Sequence, residues 1–303
     1  MALNRENRPN KKPRVSIGLP VYDGENFIAE ALDSILAQTY ENFELIVSDN
    51  GSTDGTEQVC RAYAAEDPRI QYHRNRWNLG AARNYNRVFE LSRGEYFKWA
   101  AHDDVLAPTM VEKCVAVLDS NPSVVLCFSQ LVDIDEEANE LPIRGSTVTY
   151  DLARPHERFR ALSEVRPTYT CEAVFGLIRS RVLTKTKLIG SYSDSDRTLL
   201  AELGLHGPMY EIPEVLFLHR LHPHSSVQTW PGRQERTAWF DPSYQGRIVF
   251  PYWRQFAELL SVIWRSPVSW TERLYCYFHM LNWLKRGRRR LRKDLVLAIE
   301  QIR

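Results

Sequence analysis

Apolar and polar positions in the first part of the chain switch between two periods, and the switches mark its elements. Val15-Ser16-Ile17-Gly18-Leu19 alternates with a period of two and predicts a first strand, followed by a loop at Pro20-Val21-Tyr22-Asp23-Gly24. Ile28, Ala31, Leu32 and Ile35 recur at helical spacing and predict a helix over roughly 25–38. Phe43 to Val47, apolar except for Glu44, predicts a second strand that stops at a run of turn formers from Ser48 to Gly55. Val59, Ala62 and Tyr63 carry the next helix, and Ile70 to His73 a short third strand. After the turn at Asn78-Leu79-Gly80, Ala82, Tyr85, Val88 and Phe89 mark a third helix. Tyr96 to Ala100 then forms an aromatic strand that ends at His102-Asp103-Asp104, before a helix from about Pro108. This alternation predicts an α/β fold, a mostly parallel central sheet with helices on both faces. The loops after the strands' carboxyl ends converge on one ligand crevice.

The rest of the chain is less regular. Charges and the prolines Pro142, Pro155 and Pro167 in the stretch from Asp135 to Pro167 predict excursions over the sheet edge, where acceptor recognition would lie. Leu199, Leu200 and Leu203 predict a helix beginning just after Asp196, and Pro213 to Leu218 a strand. Trp230 to Tyr252 mixes prolines, glycines and aromatics without a period and predicts a loop. Three apolar helix faces follow: Phe256, Leu259, Leu260, Ile263 and Trp264; Leu274, Tyr277, Phe278, Leu281 and Leu284; and Leu291, Leu295, Ala298 and Ile299. A basic run from Lys285 to Lys293 separates the second face from the third.

Composition narrows the class without naming it. The 303 residues, 44% hydrophobic and 25% charged, are those of an ordinary globular protein of one large domain or two small ones. A net charge of +1 argues against a general nucleic-acid binder. The five cysteines are scattered, with no pair at metal-ligand spacing, and read as buried thiols of a reducing compartment. Met1 to Arg14 is polar and basic without the apolar core of a secretory signal, and no apolar run reaches membrane-spanning length. The expected location is cytoplasmic, peripheral at the inner face of a membrane if the basic helices meet lipid.

Candidate chemistry sits at the strand ends. Adjacent carboxylates at Asp103 and Asp104 repel each other, and a cation is a natural reason to keep both ionised. Tyr22 offers a flat face for stacking on a base, Asp49 and Asn50 offer acceptors for a base or ribose, and Arg83 offers a fork for phosphate. Each also has a plain reading: a strand-to-helix turn for the aspartate pair, a surface aromatic for Tyr22, turn residues for Asp49 and Asn50, and a solvated helix charge for Arg83.

Several motifs appear in order. Pro20-Val21-Tyr22, the stretch from Ala31 to Tyr40, Asn42 to Val47, Asp49-Asn50-Gly51-Ser52-Thr53-Asp54-Gly55-Thr56, Asn78-Leu79-Gly80-Ala81-Ala82-Arg83-Asn84, Gly94-Glu95-Tyr96 and His102-Asp103-Asp104 together resemble family 2 glycosyltransferases. The resemblance covers roughly 14–129 and resumes over about 171–227. It implies a GT-A fold, a nucleotide-sugar donor, a divalent metal (Mn2+ or Mg2+) and inversion at the anomeric carbon. It divides the chain into an extended or disordered N-terminus (1–13), a catalytic domain (14–228) and a C-terminal loop and helical extension (229–303). The catalytic domain has a nucleotide-sugar half to about 130 and an acceptor half from about 131.

By position, the resemblance implies that Pro20 and Tyr22 flank the base and that Asp49 and Asn50 hold its polar edge or the ribose. Arg83 would lie beside base and phosphates, Asp103 would take the ribose or an indirect metal contact, and Asp104 would ligate the metal. The family's base stands just before a helix; aligning the leucines puts Asp196 there, with Asp194 as second choice. His222 would reach the metal or diphosphate, and Arg220 would help hold phosphate. The sequence departs from the family at Asn50, where an acid is common, at Ala101, where an Asp is common, and at Ser195, which replaces a Glu.

The implied activity is transfer of a sugar from a nucleoside-diphosphate donor, a UDP-sugar foremost, to a saccharide or lipid-linked acceptor in bacterial-type surface polysaccharide or glycolipid synthesis. The alternative is a catalytically idle nucleotide-binding or assembly module of the same fold. A nucleotidyltransferase fits less well, because the early loop lacks a Gly-rich, basic phosphate cradle. The basic residues interleaved with Trp283 and Leu284 have two readings, a solvated charge run on helices that pack against the catalytic domain or a second subunit, or a surface resting on anionic lipid. The aromatic-rich C-terminal helices suit a homodimer.

Overall fold

Val15–Val21 (β1) lies in the middle of one sheet and is buried along its whole length, which is why its residues are apolar or small on both faces. The computed structural model describes residues 12–142, 152–164, 171–230 and 232–302. The predicted N-terminal segment falls almost wholly outside these residues, as does Pro167.

The first elements follow the two periods read from the sequence. They are α1 (Ile28–Leu36), β2 (Phe43–Asp49), α2 (Thr56–Glu66), β3 (Ile70–Arg74), α3 (Ala81–Glu90), β4 (Tyr96–Trp99), β5 (Val105–Leu106) and α4 (Met110–Ser120). Next come β6 (Leu126–Ile134), α5 (Pro155–Ser163), a 3-10 turn at Glu172–Phe175, β7 (Leu177–Arg179), α6 (Ser180–Leu183), α7 (Ser195–His206) and β8 (Met209–Arg220). The chain closes with α8 (Ser226–Thr229), α9 (Arg233–Phe240), α10 (Pro251–Arg265) and α11 (Trp270–Ile302).

One eight-stranded sheet has the order β3-β2-β1-β4-β7-β6-β8-β5. The β3-β2-β1-β4 half is parallel, as is β6 with β8, whereas β7 runs antiparallel to β4 and β6, and β5 to β8. Val21 pairs with Asp49 and Asp49 with Arg74, so the carboxyl ends of β1, β2 and β3 lie side by side. One face of the sheet packs Val15, Ile17, Leu19 and Leu45 under α1 and α4. The other packs Phe97, Trp99, Leu126 and Ile178 under α3, α5, α7, α10 and α11. At Gly18 a Cβ would come within 2.6 Å of Val88, so a glycine is what lets α3 sit on β1.

Three sequence expectations change. The stretch read as excursions from Asp135 to Pro167 contains α5, whose Phe159 is fully buried and whose Arg158 donates to the Gly204 carbonyl of α7 at 2.7 Å. Pro155 occupies the first turn of that helix, where a missing N–H costs nothing. The predicted loop over 230–252 holds α9 and a 3-10 turn at Pro242–Tyr244.

The predicted second and third C-terminal helices are one 33-residue helix, α11. Its inner face is Cys276, Met280, Trp283, Leu291 and Ala298, while Leu274, Phe278, Leu281, Leu295 and Ile299 are exposed. Trp283 stacks on Phe256 of α10 and donates to the Ser163 carbonyl at 3.2 Å, so it faces the protein and not a lipid surface. Among the described residues no helix is long and apolar enough to cross a membrane.

Candidate active site

The loop after β4 brings two carboxylates to the carboxyl edge of the sheet, and the end of β8 holds them there. Asp104 accepts the Arg220 backbone N–H at 3.0 Å, and the Asp103 carbonyl accepts from Arg220 Nε at 2.9 Å. His222 Nε2 lies 2.9 Å from Asp103 Oδ2, and its buried Nδ1 has no hydrogen-bond partner. Burial, followed by the neighbouring Asp103 charge, pushes Asp104 up to about 7. Burial acts on Asp103 in the same direction, but His102 and the His222 contact outweigh it and hold Asp103 down at about 2. One member of the pair is therefore ionised and the other reluctant, the state that a cation would relieve.

Arg220 is placed differently from its sequence-based expectation. Its side chain is fully buried over the Phe27 ring and donates to the carbonyls of Asp103, Asp135 and Glu136 and to Glu30. It ties the loops after β4 and β6 to α1 instead of reaching for phosphate. Arg220→Ala leaves three carbonyls without their donor and is expected to lower stability by roughly 3 kcal/mol, read as a shift in the urea midpoint. Unchanged stability with weakened nucleotide binding would restore the phosphate role.

Asp49 and Asn50 also turn inward. Asp49 accepts from the Ser52 N–H at 2.8 Å and from the Tyr72 hydroxyl at 2.6 Å, and pairs with Arg74. The Asn50 amide donates to Asn78 at 2.9 Å and to the Gly80 carbonyl at 3.3 Å, and accepts from Asn75 at 3.0 Å and Leu79 N–H at 2.9 Å. Asn50 can serve this brace because an amide donates and accepts at once, which an acid at this position cannot do. Asn84, bonded to Ser48 and Asn75, extends the network into α3. The asparagines of the Asn78 to Asn84 motif thus hold the loop's shape. Tyr22 at the end of β1 is 41% exposed, Arg83 on the first turn of α3 is exposed, and Pro20 is buried within β1.

The two aspartates that stand as base candidates have different surroundings. Asp194 has a left-handed backbone (φ 64°) before α7, and its carboxylate is paired with Arg233 of α9. Asp196, in the first turn of α7, accepts its neighbour Arg197's N–H at 2.7 Å. Burial raises Asp196 above the usual carboxylate range, although the Arg197 N–H and charge and the Cys171 thiol pull the other way.

Three neighbours were missed by sequence reasoning. Glu172, in the 3-10 turn before β7, acts electrostatically on both Asp104 and Asp196, and its buried Oε2 has no hydrogen-bond partner. The turn is anchored by Lys98 of β4, whose buried ammonium donates to the Phe175 carbonyl. His219, bonded to Asp133 at 3.0 Å, is raised despite its burial by the charges of Asp104, Asp133 and Glu172. Arg236 of α9 feels the Asp196 charge and donates to the Trp230 carbonyl at 3.0 Å, beside the paired rings of Trp230 and Trp239. The only sequence signal for Glu172 is its place ahead of a buried strand, and α9 gave none. The cysteines are free thiols, four of them buried and Cys171 half-buried.

The family model for glycosyl transferase family 2 matches residues 16–185. An uncharacterized glycosyltransferase of Haemophilus influenzae is 31% identical over 232 residues, which are 75% of this chain and 71% of that protein. The chain belongs to glycosyl transferase family 2. An uncharacterized glycosyltransferase of Rickettsia typhi is 40% identical over 124 residues, 40% of this chain, and the match spans 38% of that relative's length. Among solved structures, S. aureus TarS 1–349 in complex with UDP-GlcNAc aligns with a TM-score of 0.65 at 13% identity, over 96% of this chain and 82% of that one. Mannosyltransferase PcManGT from Pyrobaculum calidifontis, in complex with GDP-Man and Mn2+, aligns with a TM-score of 0.53 at 17% identity, over 96% and 87% of the two chains. These likenesses establish the fold as that of GT-A glycosyltransferases.

Proposed function

We propose that this chain is an inverting glycosyltransferase that moves a sugar from a nucleoside diphosphate, a UDP-sugar foremost, to an acceptor hydroxyl in cell-surface polysaccharide or glycolipid synthesis. The observation that supports this reading best is that two unlike carboxylate groups act electrostatically on one side chain. The Asp103–Asp104 pair lies at the end of β4 and Asp196 at the start of α7, and the charges of all three reach the half-buried Tyr85 of α3. Two carboxylate sites with different environments suit two tasks, donor activation on one side and proton removal on the other.

Asp196 is the general base: raised by burial, it takes the acceptor proton as the hydroxyl attacks the anomeric carbon opposite the departing diphosphate. The electrostatic reach of Glu172 to both sides favours the uncharged, hydroxyl-bearing face of a saccharide between them. Tyr22 stacks on the base, Arg83 meets the phosphates, and Pro20 shapes the strand end beneath them. Asp49 and Asn50 act through the loop that they brace.

The acidic pair fits a divalent cation in part. The reluctant ionisation of Asp104 and the orphaned Nδ1 of His222 point to a missing electropositive partner. Yet among the described residues no group of three or more His, Cys, Asp or Glu side chains is arranged to hold an ion. Asp104 would therefore hold Mn2+ or Mg2+ together with the donor's diphosphate, with His222 or Asp103 beside it. When bound, the ion neutralises charge growing on the leaving diphosphate. We further infer a catalytic unit over 14–228, with the 229–303 extension closing the acceptor side through Arg233 and Arg236.

Calorimetric titration with UDP, GDP and TDP, each with and without manganese, tests the reading. The expected result is one nucleotide that binds at least about tenfold tighter with the metal. If none binds under any condition, the fold is an idle module and the proposal fails.

A further inference from the structure

We propose that the outward face of α11, together with the corner where α10 meets it, docks on an anionic phospholipid bilayer. Leu274, Phe278, Leu281, Lys285, Arg288 and Arg292 recur at alternating spacings of four and three along α11, and every one is exposed. At about 100° per residue they fall within roughly 40° of one line. The opposite line, Cys276, Met280, Trp283 and Leu291, is buried against α5 and α10. The helix therefore has one satisfied face and one that none of the described residues covers.

The uncovered face is built in two parts. Trp264 and Trp270, each 65% exposed, meet edge to face at 6.2 Å where α10 turns into α11, and Phe278 is 64% exposed two turns further on. The Arg273 guanidinium lies over both indoles and donates to the carbonyls of Ile263 and Ser266, which fixes the corner. Indole rings held at a surface in this way suit the headgroup layer of a bilayer, where an apolar ring body and a polar N–H are both accommodated. The helix then turns basic: Lys285, Arg288, Arg289 and Arg292 are exposed and have no partner among the described residues. Two acids of α11 are engaged elsewhere, with Glu272 bonded to His156 and Asp294 buried against Tyr252 N–H.

Charge decides between a bilayer and a second copy of the chain. The basic turns lie near the middle of the helix. A twofold pairing of two such faces, parallel or antiparallel, sets these cations against one another, with Glu272 and Asp294 both engaged away from the contact. An anionic lipid surface complements them instead, at about 1 kcal/mol for each cation near the headgroups.

The test is flotation of the full chain with vesicles of phosphatidylcholine, alone or with about one-third phosphatidylglycerol. The chain is expected to float with the anionic vesicles and not with the neutral ones, and to detach as salt is raised. Replacing Lys285, Arg288, Arg289 and Arg292 by glutamine should lower the partition coefficient at least about a hundredfold, and Trp270→Ser with Phe278→Ser at least about tenfold. Circular dichroism and nucleotide titration show whether each variant is still folded. Equal binding to both vesicle types, no binding to either, or retained binding in the folded variants overturns the proposal. So does a dimer in sedimentation equilibrium that the Trp270→Ser/Phe278→Ser variant dissociates, which would make the face a contact between copies. No readout requires turnover, so failure here is separate from failure of the transferase reading.

Discussion

Asp196→Asn is expected to reduce sugar transfer about a thousandfold while leaving nucleotide affinity within about twofold of the parent. The substitution keeps the side chain's size and its acceptor for the Arg197 N–H, and removes only the ability to take a proton. Asp194→Asn is the control. Its carboxylate is held by Arg233, so its loss loosens α9 and lowers turnover by about tenfold at most, without changing how turnover depends on pH. Steady-state kinetics on both variants, beside titration of the nucleotide, separates the roles. If Asp194→Asn is the inactive protein and Asp196→Asn is not, the assignment is reversed.

The pH profile gives a second reading of the same residue. A base acts only when ionised, so turnover should fall as pH drops through the pKa of Asp196, and burial places that limb above the usual carboxylate range. Glu172 contributes in the same direction through its charge. Glu172→Gln should therefore move the acid limb of kcat to lower pH. A purely structural Glu172 would lower activity at every pH and leave the limb where it was.

The parallel half of the fold was legible because each element has one satisfied face and a clear period. Ile28, Ala31, Leu32 and Ile35 recur at helical spacing and are all buried on α1. The strand Tyr96 to Trp99 and the acids that follow it needed only alternation and the rule for strand ends. The C-terminal helices misled because exposed apolar residues imitate a core face. Leu274, Phe278 and Leu281 share a stripe that looks buried in sequence, while the true inner face contains Cys276, His279 and Gly287, weak apolar signals by composition. Gly287 did not end the helix, because the run of arginines around it favours helix. Within the site, residue identity marked the right loops but not the partners. Whether Asp49, Asn50 or Arg220 faces a ligand depends on Tyr72, Asn75 and Glu136, residues from other elements that a linear pattern does not bring together.

Asp104→Asn should cost the protein its metal-dependent gain in nucleotide affinity, a loss of about a hundredfold, and with it most of its turnover. The amide keeps an oxygen for the Arg220 N–H and so preserves the tie to β8. It also removes the like charge that Asp103 opposes, so the variant should fold at least as stably as the parent in the absence of metal. The parent itself carries a built-in check. A cation must compete with a proton on a carboxylate pushed up to about 7, so the affinity gained from manganese should shrink as pH falls below that value, and affinity without manganese should not follow it. Titrations of parent and variant across that range, each with and without manganese, measure both effects. Parallel titration curves for the two proteins would show that the ion, if it binds, is held elsewhere, and the acidic pair would then serve only to tie the loop after β4 to the end of β8.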